Sequence, residues 1–430
     1  MDIFNNSFAF VEFFFILNHL LFCTYFTKFR QYNLIQLLIH PIQITFLFVL
    51  ITVYIPLKID FVFQHSYLLY EVPSIYFLIV FQSYSFGLFL SYVLMVLFDI
   101  KTSNYEAKYE YSNNSGKHIP HNDLRISYTF YFLISMLAAF FLIITNLEVL
   151  KSLDINEFSM NIKTGGNNSI FQIFLFITLL PAYLFFSEPW THQKKLYILT
   201  VFILILLIIF GARYPLIVIF LSFIYLSAAF FNIKAKHLIT FLMLGISFFV
   251  LTSFFRSDTL SSSQGLVSLA AYFIRNNDFL YNSALPIYMR DIGEIDLFFG
   301  RTFIEDNLKM FQPSAFFHDK ELSFYPSRFF YGTYASVDGR TFNFGFLGRA
   351  YMDFGFAGFL FLFILFHLFY DKIYKLLIKN QVNKSSKYFL IILLLVRFPM
   401  ILMIGLNSHV MSLILIDIIA FYIPNFLVRK

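Results

Sequence analysis

Residues 238–265 read LITFLMLGISFFVLTSFFRSDTLSSSQG, and the change of character at Arg256 decides the fold. Leu238–Phe255 carries no charge and is long enough to cross a bilayer as a helix. Apolar runs of roughly 18–25 residues, the length of a membrane-spanning helix, precede it almost without pause. From Arg256 the chain turns mixed and charged as far as Asn343, and at Phe354 it becomes apolar again. This pattern predicts an all-α fold, a polytopic membrane helical bundle that keeps one large polar loop outside the lipid.

Composition excludes a soluble domain. Hydrophobic residues make up 59% and charged residues 13%, against about 25% charged in soluble proteins. The net charge of +6 arises mostly from Lys and Arg in short loops, which is a topology signal rather than a nucleic-acid footprint. The lone Cys23 allows no disulfide within the chain. The N-terminus shows no basic leader and no small-residue cleavage site, so the first apolar run is expected to stay as a span.

Eleven spans are expected: Ser7–Phe26, Leu34–Leu57, Pro73–Phe98, Ile126–Thr145, Ile170–Ser187, Leu196–Phe210, Pro215–Phe231, Leu238–Phe255, Met352–Tyr370, Tyr388–Gly405 and Val410–Phe426. They give three regions: residues 1–255 with eight spans, the loop 256–343, and residues 344–430 with three spans. Basic residues alternate between the two sets of short loops. One set holds Lys28, Arg30, Lys101, Lys108, Lys117, Arg125, Lys194, Lys195, Lys234 and Lys236, the lysines from Lys372 to Lys387, then Arg429 and Lys430. The other set holds only Lys58, Lys151, Lys163 and Arg213. The positive-inside rule places the richer set in the cytoplasm, the N-terminus and large loop outside, and the C-terminus inside. Arg213, Arg256, Arg349, Asp353 and His409 then fall on the outer face.

No P-loop, dinucleotide fingerprint, nucleophile elbow, CxxC or HExxH occurs, and the dispersed His residues indicate no metal site. Three constellations stand out. Gly211-Ala212-Arg213-Tyr214-Pro215 sets an arginine between two apolar runs, either as an interfacial anchor or as an anion clamp, since guanidinium matches phosphate oxygens bidentately. The loop carries Arg256, Arg275, Arg290, Arg301, Arg328 and Arg340 interleaved with tyrosines, where the inner loops prefer lysine. Arginine suits directional contact with phosphate, and aromatic faces suit sugar rings; an ion-paired folded loop is the plainer reading, because acids are about as numerous. Finally, Phe342-Asn343-Phe344-Gly345-Phe346-Leu347-Gly348-Arg349-Ala350-Tyr351-Met352-Asp353-Phe354-Gly355-Phe356-Ala357-Gly358 combines small residues suited to close helix approach with Arg349 and Asp353 one turn apart.

This last stretch resembles the C-terminal signature of bacterial O-antigen polymerases, the Wzy family, which reads Gly-x-x-x-Glu-x-Tyr-x-x-Phe-Gly-x-x-Gly at the end of a large periplasmic loop. Gly345, Tyr351, Phe354, Gly355 and Gly358 match, whereas Arg349 occupies the family's acidic position. Phe299-Gly300-Arg301-Thr302-Phe303 and Phe311-Gln312-Pro313-Ser314 resemble further elements of that loop. Gly211-Ala212-Arg213 resembles the Gly/Ser-x-Arg turn shared by O-antigen polymerases and ligases. The resemblance implies a glycosyltransferase of the bacterial inner membrane, acting in lipopolysaccharide or capsule biosynthesis. Its substrates would be oligosaccharides linked to undecaprenyl diphosphate, with a chain-length regulator and a flippase as partners besides membrane lipids. No cofactor is implied. Arg213, Arg256 and Arg349 are the expected diphosphate ligands. Arg275, Arg290, Arg301, Arg328 and Arg340 are the expected loop contacts to substrate, and His318, Asp338 and Asp353 the expected base candidates. The alternatives are a lipid-linked oligosaccharide flippase or other transporter, an O-antigen ligase, and a polyprenyl-phosphate-sugar glycosyltransferase. The last would carry paired acids in its first loop, which here reads Thr27-Lys28-Phe29-Arg30.

Arg397 and Asp417 sit at matching depth in the last two spans, and an ion pair between them is expected to fix the terminal hairpin. Topology itself is directly testable. A reporter fused after Lys320 is expected to read as external and one after Lys379 as cytoplasmic; the reverse pattern would overturn the orientation.

Overall fold

The computed structural model describes residues 2–55, 58, 74–106, 125–151, 168–181, 193–210, 213–230, 243, 299, 345–378, 385–404, 414–415 and 418. Among them every regular element is helical. In chain order these are α1 (Asp2–Lys28), α2 (Leu34–Leu38), α3 (Pro41–Val49) continued by a π turn (Leu50–Tyr54), α4 (Ser74–Glu106), α5 (Arg125–Thr145) and α6 (Leu147–Lys151). There follow α7 (Asn168–Phe174) continued by a 3-10 turn (Leu175–Leu179), α8 (Gln193–Ile209), α9 (Arg213–Phe230), α10 (Gly345–Ile378) and α11 (Ser385–Ile404). Among the described residues three helical stretches are long and apolar enough to cross a membrane: Ser7–Lys28, Leu78–Ile100 and Gly348–Ile378. The eighth expected span apart from Met243, the large loop apart from Phe299, and most of the eleventh span lie outside the described residues.

The chain divides into two compact units. One comprises Met1–Asn113, Gln264–Tyr374 and Phe398–Ile414; the other comprises Asn114–Ser263, Lys375–Arg397 and Leu415–Lys430. In the second, α5 packs on α7 and its 3-10 turn, and α9 packs on that turn and on α8. Phe174 and Phe210, both fully buried, meet there with centroids 4.4 Å apart. The sixth and seventh expected spans are separate helices, α8 and α9, with Arg213 opening α9.

The second expected span, Leu34–Leu57, is not one helix, and this corrects the sequence reading. Asn33 caps α2 through a reciprocal pair of bonds with Gln36. The chain then leaves helical geometry and restarts at Pro41, which has no N–H to give a preceding turn. His40 caps the new helix: the Ile42 N–H donates to His40 Nδ1 at 3.2 Å. Hydropathy is blind to this break because every residue around it is compatible with lipid or with burial.

In a bilayer, lipid tails are as apolar as leucine, so helices associate through close packing and polar contacts. The first unit uses both. Asn18 Nδ2 on α1 donates to the Ser85 carbonyl on α4 at 3.1 Å. Thr45 Oγ1 on α3 and His367 Nε2 on α10 lie 2.8 Å apart. Gly87 on α4 lets the Phe363 ring of α10 approach so closely that a Cβ there would sit 2.9 Å from it. Large apolar side chains such as Phe10, Phe13 and Leu20 on α1 and Phe361 and Phe369 on α10 stay exposed, as lipid-facing positions require.

One charge cluster ties these helices at a single end. Just beyond α1, Gln31 adopts φ 54 and the Tyr32 N–H closes the turn on the Phe26 carbonyl at 3.0 Å. This aims Arg30 back at the bundle, stacked over Phe26 at 4.2 Å. Its Nε donates to Asp99 Oδ2 of α4 at 2.6 Å, and its Nη1 donates to Asp371 Oδ1 of α10 at 2.5 Å. His40 Nε2 lies 3.0 Å from the same Asp371 oxygen. Because the Ile42 N–H occupies Nδ1, the His40 proton resides on Nε2 and is donated to Asp371. Burial works against the Arg30 charge, but Asp371 and Asp99 outweigh it, and the guanidinium holds its proton more tightly than a free arginine. Burial likewise pushes the neighbouring Tyr32 phenol above its ordinary range, against the opposing pull of Arg30.

Removing Arg30 takes from both Asp371 and Asp99 the guanidinium that bonds them. Arg30→Ala is expected to destabilise the folded protein by about 3–5 kcal/mol, the scale of a broken buried pair. Arg30→Lys should recover only part of this, since an ammonium cannot fork between two carboxylates. Thermal unfolding of the purified protein in detergent, followed by loss of monodisperse material, measures both.

Candidate functional site

The opposite end of the first unit holds the segment that the sequence analysis singled out. In α10 the backbone leaves helical geometry at Gly355, with φ 67 and ψ −165, so the element is two helices joined at that residue. This region of conformational space is essentially restricted to glycine. The break swings Phe354 over the following turn: a Cβ on Gly358 would lie 1.9 Å from the Phe354 Cβ. Gly355 supplies the forbidden torsion and Gly358 the room for its consequence. The Phe-Gly-x-x-Gly spacing is therefore a backbone requirement.

An unbroken helix would give the Asp353 carbonyl an acceptor role within the helix. Here it accepts from the Phe299 N–H at 2.8 Å. Phe299 has φ 49 and is 76% exposed, so its backbone rather than its ring makes the contact. It is also the first residue of Phe299-Gly300-Arg301-Thr302-Phe303. One backbone hydrogen bond thus joins two residues more than fifty positions apart, each from one of the motifs. Arg349 and Asp353 lie one turn apart just before the break, exposed by only 6% and 0%. Gly348 and Ala350 beside them are buried too.

A second polar group lies at a matching level of α1. Glu12 accepts from the Tyr54 hydroxyl, and Lys58 Nζ lies 3.0 and 3.1 Å from its two carboxylate oxygens. The π turn Leu50–Tyr54 ends on this tyrosine, and Lys58 also sits 5.1 Å above the Phe8 ring. Glu12 precedes Arg30 by eighteen residues, and Asp353 precedes Asp371 by eighteen. Tyr54 packs on Phe81 of α4, and Tyr84 one turn further on meets Phe359 of α10, so the Glu12 pair lies toward the end of the unit that holds the helix break.

Of the residues expected from sequence, Arg349 and Asp353 are therefore in this unit, buried beside the helix break. Arg213 opens α9 in the other unit. Arg256, Arg275, Arg290, Arg301, Arg328, Arg340, His318, Asp338 and His409 lie outside the described residues. Arg397 is buried on α11, while Asp417, its expected partner, is also outside them. Sequence reasoning missed Glu12, Asp99 and Asp371 and counted Arg30 only as a topology signal. Asp99 and Asp371 each stand directly after an expected span, on the side to which Arg30 had been assigned. Among the described residues no group of three or more His, Cys, Asp or Glu is arranged to hold a metal ion.

No known protein family, curated protein or solved structure matches this chain.

The helix break makes a sharp test. Gly355→Ala forces a side chain into a torsion that L residues rarely adopt, and Gly358→Ala collides with Phe354. Each is expected to straighten or distort α10 and to release Phe299 from Asp353. In amide hydrogen exchange on the purified protein, the region around Phe299 should lose protection in both variants, while α1 keeps its own.

Proposed function

We propose that this chain is a polysaccharide repeat-unit polymerase of the bacterial inner membrane. In this reading it has eleven spans and one large periplasmic loop, with the Glu12 and Asp353 ends of α1 and α10 on the periplasmic side. The growing oligosaccharide is transferred from undecaprenyl diphosphate to the non-reducing end of the next lipid-linked unit. The observation that supports this most is the Phe299–Asp353 backbone bond. It holds Phe299, the first residue of one loop motif, against the glycine-broken helix, and both motifs are segments in which the chain resembles O-antigen polymerases.

The chemistry sets three requirements. Negative charge develops on the departing diphosphate, so fixed cations must face it. Arg213, Arg256 and Arg349 fill that role in this reading, with Arg275, Arg290, Arg301, Arg328 and Arg340 as further contacts from the loop. A base must take the proton of the attacking hydroxyl, for which His318, Asp338 and Asp353 are the candidates the sequence offers. Lipid tails need an apolar flank, which α1 and α10 provide with their exposed phenylalanines and leucines. The reaction requires no cofactor, and a chain-length regulator and a flippase are the expected partners. A flippase or other transporter is the rival reading, and the large polar loop expected outside the lipid weighs against it. An O-antigen ligase would use similar chemistry with a different acceptor.

Deletion in the native host is expected to leave lipopolysaccharide or capsule bearing a single repeat unit in place of a ladder on gels. Loss of the single unit as well would favour the flippase or the ligase, and an unchanged ladder in a host without a second polymerase would refute the proposal. Arg213→Ala, Arg256→Ala and Arg349→Ala should each abolish the ladder with the protein still in the membrane, and lysine should rescue poorly where the contact is bidentate.

A further inference from the structure

We propose that Glu12 is the general base of the polymerisation, accepting the proton of the attacking sugar hydroxyl while Tyr54 and Lys58 hold its carboxylate in place. The inference rests on the polymerase reading and assigns within it a role that the sequence had left among His318, Asp338 and Asp353.

Reach is the first argument. Asp353 has no exposed surface, so an incoming hydroxyl cannot touch its carboxylate in this structure. Glu12 lies toward the same end of the unit, since its partner Tyr54 packs on Phe81 of α4 one turn from Tyr84, which meets Phe359 of α10, and its side chain is 23% exposed. Capacity is the second. A carboxylate offers about four acceptor positions. Glu12 Oε1 accepts from Tyr54 and Lys58, and Oε2 accepts from Lys58 alone. One acceptor position on Oε2 remains for a substrate hydroxyl. Orientation is the third. Tyr54 reaches Glu12 from the end of a π turn, a form that recurs at functional sites inside otherwise regular helices. Phe8, Phe15 and Phe81 pack around the Tyr54 ring and fix its direction. An ionisable residue inside a spanning helix also demands an explanation of its own.

The step balances without a further reactant. The acceptor hydroxyl oxygen attacks the anomeric carbon of the growing chain as its proton passes to Glu12 Oε2. The bond from that carbon to the diphosphate oxygen breaks, and undecaprenyl diphosphate leaves with the electron pair. Glu12, now a neutral acid, returns its proton to water before the next cycle.

The plainer role for the same group is a strut that ties α1 to the segment after α3, and three variants separate the two. They are induced in the deletion strain, and the rate at which its accumulated single units become polymer is followed on gels, with membrane protein levels measured alongside. Glu12→Gln keeps the size and the Tyr54 contact but cannot take a proton. It is expected to slow conversion by at least about 100-fold, the lower range for general-base catalysis. Glu12→Asp keeps the charge but withdraws the carboxylate by one methylene, and is expected to slow conversion by about 10-fold or more at unchanged protein level. The exchange Glu12→Lys with Lys58→Glu preserves the ion pair, moves the carboxylate to the other segment and is expected to remain inactive. Conversion within two-fold of wild type by Glu12→Asp, or restored by the exchange, would make Glu12 a strut and overturn the inference. That outcome leaves the polymerase reading standing, since the single-unit phenotype of the deletion does not depend on Glu12.

Discussion

Arg30 makes the contact on which the first unit depends. A guanidinium is planar and always charged, and its donors point in fixed directions, so one side chain can fork between two carboxylates on different helices. Here it bonds Asp99 of α4 and Asp371 of α10, and Asp371 in turn takes the His40 proton at the start of α3. Four chain segments are thereby fixed at one level. Apolar side chains cannot do this in a bilayer, because they gain little by leaving lipid for one another. The cluster is costly to bury and costly to break.

The other end is built on irregular backbone. The chain departs from simple helix at His40-Pro41, at Leu50–Tyr54 and at Gly355. The second of these brings Tyr54 to Glu12, and the third frees the Asp353 carbonyl for Phe299. Non-helical backbone at membrane depth is tolerated where its polar groups find partners in the protein or line a cavity. Two of these departures lie toward the end away from Arg30.

Charge is distributed accordingly. Two polar levels, at Arg30 and at Glu12, bracket the long apolar stretch of α1. The level at Arg30 is cross-linked among helices. The level at Glu12 carries a more exposed ion pair, and beside it in the sequence of α10 stand Arg349 and Asp353, both buried.

The sequence by itself determined the membrane class, the helical content, and the limits of α1, α5, α8, α9 and α11 to within a few residues, because long uncharged runs have few alternatives to a helix in lipid. It also singled out the Phe354–Gly358 segment and the Phe299 motif by their residues alone. Only the tertiary structure showed that these two touch, since a backbone hydrogen bond leaves no mark in residue type. The interruption of the second expected span was likewise beyond hydropathy: Pro41 was visible, but a proline can kink a helix or restart it, and the His40 cap decided which. Asp99, Asp371 and Glu12 were legible as acids at or within apolar runs, yet their partners are set by helix rotation and packing. A period-averaged pattern does not carry that information, so the sequence could locate the charges and only the fold could pair them.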